Sequence, residues 1–137
     1  MKIACISTAQ VPSTRAHSIQ VMKVTQALAQ NGEEVVLYLP GKEPPAWQEL
    51  ADQYGLIEPF EIITLPTRPG LKRLDFSLAG AKSARRWGAQ LVYTRMLWVA
   101  LFAGLRAMPF VLEMHDLPSG TFGPHIYRRI LRMKAPK

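Results

Sequence analysis

Residues 2–41, KIACISTAQVPSTRAHSIQVMKVTQALAQNGEEVVLYLPG, decide the fold. Lys2–Thr8 is a continuous apolar run that turns polar only at Ser7 and Thr8, the pattern of a strand buried on both faces. His17–Asn31 sets Val21, Val24, Thr25 and Leu28 on one helical face, and Gly32 follows where a left-handed residue ends a helix. Glu34–Leu39 is apolar again, and Pro40-Gly41 breaks it. A strand, a helix and a second strand, both strands apolar throughout, form a right-handed parallel crossover.

The same alternation continues outward. Trp47–Tyr54 reads as a short helix stopped by Gly55, and Glu61–Leu65 as a strand closed by Pro66. After the Arg68–Gly70 turn a basic helix runs from about Lys72 to Trp87, followed by a strand at Gln90–Thr94. Leu97–Ala107 is a helix that is apolar nearly all round, so it belongs inside the fold. Pro109–Met114 is a fifth strand, Asp116–Pro124 a Pro/Gly loop, and His125–Lys134 a last basic helix. The pattern predicts one α/β domain over residues 1–137: a doubly wound, parallel, Rossmann-like sheet in the order 3-2-1-4-5. Such sheets hold ligands outside the carboxyl ends of their strands, near the switch between the first and fourth. That rule selects Ala9–Ser18, Thr94–Met96 and His115–Phe122.

Composition narrows the classes. Apolar residues make up 48% of the 137, enough to build a core and to exclude a disordered chain. Lys and Arg total 17 against 10 Asp and Glu, a formal charge of +7. This favours anionic partners such as phosphate esters, a membrane face or nucleic acid, with a solvated basic surface as the plain alternative. The single cysteine, Cys5, sits in an apolar run and reads as a core residue in a reducing, cytoplasmic setting. The first apolar run is too short for a signal peptide, and Met96–Leu105 falls well below the ~20 residues that span a bilayer.

The selected loops carry the candidate chemistry. Ala9–Ser18 has no glycine, so neither a dinucleotide fingerprint nor a Walker-type phosphate loop is present. No residue spacing suits a metal, and no cofactor is expected. The loop instead sets Ser13, Arg15, His17 and Ser18 at the start of a helix, where free N–H groups and the dipole attract anions. Ser18 reads as the helix cap; Arg15 reads as a fork for phosphate or carboxylate. Arg95 ends the fourth strand and either meets a ligand or pairs with Glu113 or Asp116. His115 ends the fifth strand and is the leading catalytic candidate, able to bond a sugar hydroxyl or stabilise charge near a reacting centre. Glu113 and Asp116 also raise a hydrolytic carboxylate pair, but nothing in the sequence fixes their separation.

Two basic segments remain: Arg68, Lys72, Arg73, Lys82, Arg85 and Arg86, then Arg128, Arg129, Arg132, Lys134 and Lys137. Leu71, Leu74, Phe76 and Leu78 interleave with the first, as in a helix that lies on an anionic membrane. A solvated face is the plainer reading. Neither segment carries the aromatic strand pattern of an RNA-binding sheet, so no nucleic-acid partner is expected.

In order and spacing the chain resembles the amino-terminal domain of family 4 glycosyltransferases of the GT-B fold. The residues that carry the likeness are Pro12-Ser13-x-Arg15-Ala16-x-Ser18-Ile19-Gln20-Val21-Met22, then Ala27-Leu28-Ala29-x-x-Gly32-x-Glu34-Val35, Val92-Tyr93-Thr94-Arg95 and Glu113-Met114-His115-Asp116. Glu33 stands where these proteins often carry histidine. The resemblance implies metal-independent, retaining transfer of a sugar from a nucleotide donor to an acceptor hydroxyl. It implies a second, donor-binding domain that these 137 residues do not contain, so that the chain is a truncated gene product, a fragment or one half of a split enzyme, with no transfer on its own. By the same likeness His115 faces the donor sugar, while Ser13, Arg15, His17, Arg95 and Asp116 join the substrate-binding set. The acceptor is a polysaccharide, a lipid-linked sugar or a small molecule, and the basic helices touch the inner membrane face. The alternative is a non-catalytic module that docks on a membrane or a partner.

Overall fold

The computed structural model describes residues 1–71 and 73–134. Lys72 and Lys137, named above in the basic segments, lie outside them. The elements follow the order β1 (Lys2–Ile6), α1 (Ala16–Gln30), β2 (Glu34–Pro40), α2 (Trp47–Tyr54), β3 (Glu61–Leu65), α3 (Leu74–Trp87), β4 (Leu91–Thr94), α4 (Leu97–Leu105), β5 (Phe110–Leu112) and α5 (Gly123–Leu131). The five strands form one parallel sheet in the order β3-β2-β1-β4-β5, as the sequence predicts.

Strand periodicity sorts the core into two layers. Ile3, Cys5, Val35, Leu37 and Leu39 point to one face, where α1 and α2 cover them with Val21, Met22, Leu50 and Tyr54. Ala4, Ile6, Val36, Tyr38 and Val92 point to the other, under Phe76, Ala81 and Ala84 of α3 and Val99 and Ala103 of α4. Each fully buried Val, Leu or Ile contributes about 1.5–3 kcal/mol. Two-sided burial is therefore the main source of the fold's stability. Gly80 lets α3 close on the sheet, since a Cβ there would stand 3.0 Å from the Ile6 side chain. α4 is the apolar helix of the sequence reading, held between α3 and α5. Burial pushes the Cys5 thiol up to about 12, so it stays protonated and behaves as a small core residue.

The ends of the elements differ from expectation at the rim. β1 stops at Ile6, two residues earlier than predicted, and β5 covers three residues rather than six. The residues released from the strands, Ser7, Thr8, Glu113 and Met114, form the rim itself. The helix caps also differ. α1 starts at Ala16 with Arg15 at its N-cap and no side-chain cap. Ser18 lies inside the helix and donates its hydroxyl to the Gln10 carbonyl at 2.6 Å, so it ties down the loop instead of capping. α2 ends on Gly55 and α3 on Gly88, at φ of 61° and 85°, where a side chain would be strained.

Candidate functional site

In a parallel sheet of this handedness every helix that follows a strand begins at the carboxyl rim. α1, α3 and α4 therefore open side by side, and an arginine stands at each opening: Arg15 and Arg73 at the N-caps of α1 and α3, and Arg95 one residue before the N-cap of α4. Cations at the positive end of a helix dipole are locally unfavourable by about 0.3–1 kcal/mol each. Arg15 and Arg73 are both exposed.

The glycine-free loop between β1 and α1 is held by specific bonds. The Ala9 N–H donates to the Ser7 hydroxyl at 3.1 Å. The Ser13 N–H donates to the Tyr54 hydroxyl, which donates back to the Ser13 carbonyl, both at 2.7 Å. The Ser13 hydroxyl accepts the Arg15 N–H at 3.2 Å. Ser13 thus shapes the approach to α1, and it does not line the crevice beside it.

His17, on the first turn of α1, links this loop to β4. Nη1 of Arg95 donates to His17 Nδ1 at 3.0 Å and to Gln20 Oε1 at 2.9 Å. A guanidinium only donates, so Nδ1 must accept and Nε2 carries the proton. That proton points to the Ser7 hydroxyl at 3.3 Å. Burial, chiefly, and then the Arg95 charge lower the His17 pKa below its ordinary value, with Glu113 opposing them. His17 is accordingly neutral at pH 7 and serves as an acceptor for Arg95.

Gln20 carries the network on to β5. Its amide donates to Glu113 Oε1 at 2.8 Å, and His115 Nε2 donates to the same oxygen at 2.8 Å. The Tyr93 hydroxyl donates to the other carboxylate oxygen. Three donors occupy Glu113, which therefore anchors its neighbours and is not a free base. Asp116 is exposed, and among the described residues its side chain has no hydrogen bond or ion pair. With both of its oxygens accepting hydrogen bonds, Glu113 is engaged in the rim network and not free to work as one half of a hydrolytic pair with Asp116. Nor does Arg95 pair directly with Glu113 or Asp116, as one sequence reading had it; Gln20 stands between the arginine and the carboxylate. His115 is exposed, with Nε2 held by Glu113 and Nδ1 without a hydrogen-bond partner among the described residues.

Arg15, His17 and Arg73 line a crevice of about 570 Å³ with Thr8 and Gln10. His17, Arg73 and Arg95 line an adjoining one of about 440 Å³ with Ser7, Thr8 and Trp98. No carboxylate lines either of them among the described residues. The structure so brings Arg15, His17 and Arg95 together, joins His115 to them through Glu113 and Gln20, and leaves Ser13 and Asp116 outside. Ser7, Gln20, Tyr93 and Arg73 escaped the sequence reading of the site. Gln20 was recoverable from spacing, being one turn beyond His17 on the same face. Arg73 was read only as part of a basic helix, solvated or facing a membrane, although the start of α3 follows β3 and so falls at the same rim. Among the described residues no cluster of His, Cys, Asp or Glu is suited to a metal, and no helix is long and apolar enough to cross a membrane.

The fold is shared with glycosyltransferases of the GT-B class. MurG of Acinetobacter baumannii matches 96% of this chain with 39% of its own length, at a TM-score of 0.57 and 13% identity. SsfS6, a Streptomyces sp. SF2575 glycosyltransferase, matches all of the chain with 48% of its length, at 0.55 and 16%. Anabaena Alr3699/HepE, solved in complex with UDP and glucose, matches 96% with 34% of its length, at 0.51 and 16%. At these identities the likeness establishes the fold, and the chain spans less than half of each of these proteins. No family model matches the sequence, and no curated protein does.

Proposed function

We propose that this chain is the amino-terminal, acceptor-side part of a family 4 glycosyltransferase that moves a sugar from a nucleotide donor to an acceptor hydroxyl, retaining configuration without a metal. The observation that supports it most is the convergence of Arg95, His17 and His115 on one rim through Gln20 and Glu113. Departure of a nucleoside diphosphate develops negative charge, and open helix N-termini stabilise such charge without reorganising. His115, oriented by Glu113, presents Nδ1 to a sugar hydroxyl as acceptor when neutral and as donor when protonated. The partner groups are a sugar acceptor, a nucleotide sugar, and a donor-binding domain on further sequence or a second chain. The setting is cytoplasmic, with the basic faces of α3 and α5 towards the inner membrane.

The test uses the full protein that carries these residues, incubated with a panel of nucleotide sugars. Acceptor-dependent release of the nucleotide is expected, and His115→Ala should lower kcat by about 10²-fold or more. Residues 1–137 alone should release none. Nucleotide sugars left intact by the full protein, or undiminished turnover in His115→Ala, would overturn the reading.

A further inference from the structure

A third concavity, of about 700 Å³, shares Arg73 and Trp98 with the 440 Å³ crevice and is lined in addition by Gly70, Leu71, Leu74 and Phe122. Apart from Arg73 its side chains are apolar. Leu71, Leu74 and Phe122 are 53%, 40% and 68% exposed, a grouping of large apolar surface that a soluble face does not need. Trp98 stacks on Phe102 at 5.9 Å between centroids, so its ring forms a fixed wall.

Arg73 stands at the junction and is fixed by its backbone. Its carbonyl accepts the Ser77 N–H at 3.0 Å and also the Ser77 hydroxyl. Asp75 accepts the Arg68 N–H at 2.7 Å and the Phe76 N–H at 2.8 Å, which ties the preceding turn to α3. The polar half offers Arg15, Arg73 and Arg95 with no acidic lining residue among the described residues; the apolar half offers carbon. A bare anion would leave the groove uncovered, and a neutral apolar ligand would leave the guanidinium groups unmatched.

We infer that this surface binds a lipid phosphate, its phosphate head on Arg15, Arg73 and Arg95 and its hydrocarbon chain along Leu71, Leu74, Trp98 and Phe122. The inference rests on the glycosyltransferase reading above and names the acceptor class within it: a membrane lipid carrying a phosphate ester.

Binding of the full chain to dodecyl phosphate, inorganic phosphate and dodecyl maltoside, measured by calorimetry below micelle-forming concentrations, tests it. Burying two or three methylenes is worth about tenfold, so dodecyl phosphate should bind at least about tenfold more tightly than either control. Arg73→Gln and Leu74→Ser should each weaken it, whereas Leu78→Ser, exposed on α3 outside the groove, should not. Inorganic phosphate binding as tightly would remove the chain from the site, and the maltoside binding as tightly would remove the head; either overturns the inference, as does a Leu74→Ser that behaves like Leu78→Ser. Sugar transfer to a water-soluble acceptor, without binding of dodecyl phosphate, overturns this inference and leaves the enzyme reading intact. Tight binding of dodecyl phosphate without nucleotide release supports the site and sinks the enzyme.

Discussion

The two ends of the sheet are built from the same strands, yet they treat charge in opposite ways. At the amino ends the Met1 ammonium and Lys2 have local partners. The Met1 ammonium meets Glu33, Lys2 Nζ lies 3.3 Å from Glu34, and the same Nζ sits 4.9 Å from the centre of the Trp87 ring. At the carboxyl ends Arg15, Arg73 and Arg95 gather around crevices that no carboxylate lines among the described residues, and Glu113 is occupied by three other donors. Matched charges at an exposed edge are ordinary surface chemistry. Unmatched cations at helix openings cost stability, a cost that an anion bound there would offset.

Removing Glu113 is expected to have the largest effect on stability. Glu113→Ala leaves Gln20, Tyr93 and His115 without their shared acceptor, two of them partly buried, and such losses cost about 1–3 kcal/mol. The corresponding change at the other end, Glu34→Ala, removes an exposed pair worth at most about 1 kcal/mol. Urea unfolding of both variants checks the contrast. Equal effects would mean that the rim network holds nothing in place.

Arg15→Ser sharpens the comparison with an effect of opposite sign. Arg15 occupies an N-cap with extended backbone, where serine would cap α1 by about 1 kcal/mol and a cation would leave the positive end of the helix. A gain of that size corresponds to a rise in Tm of about 3–5 °C in a domain this large. The same variant should bind dodecyl phosphate several-fold less tightly. A more stable Arg15→Ser that keeps full affinity would show that Arg15 stands at the crevice without serving it.

These expectations depend on features that were unevenly legible in the sequence. The sheet order could be read because two-sided burial forces continuous apolar strands, as in Val35–Leu39, and because Gly55 and Gly32 punctuate the helices. Arg15, Arg95 and His115 could be placed on the rim because strand order alone puts them there. Their partners could not, since Gln20 and Glu113 lie 93 residues apart and only the fold sets the first turns of α1 beside the residues that follow β4 and β5. Ser18 misled because serine near a helix start is a good cap by propensity, while the Gln10 carbonyl, set by the loop's path, outcompeted the helix for its hydroxyl.

The smallest effect concerns pH, and its sign follows from His17. The folded protein holds this imidazole below its ordinary pKa of 6.5, first by burial and then by the Arg95 charge. As pH falls through 6.5 the unfolded chain takes up a proton that the folded protein still refuses, so acid favours unfolding. Stability should decline from that point down to the folded-state value, then level off as His17 protonates in both states; above 6.5 this residue contributes no slope. His17→Gln removes the titration, and the slope of unfolding free energy between pH 6.5 and 5 should be shallower than in the parent. No charged group at the amino ends of the strands faces this ring; its neighbours are Ser7, Arg95 and, through Gln20, Glu113. A parent whose stability rises on acidification through that window, relative to His17→Gln, would mean that His17 is held as a cation, and the direction of its bond with Arg95 would then have to be abandoned.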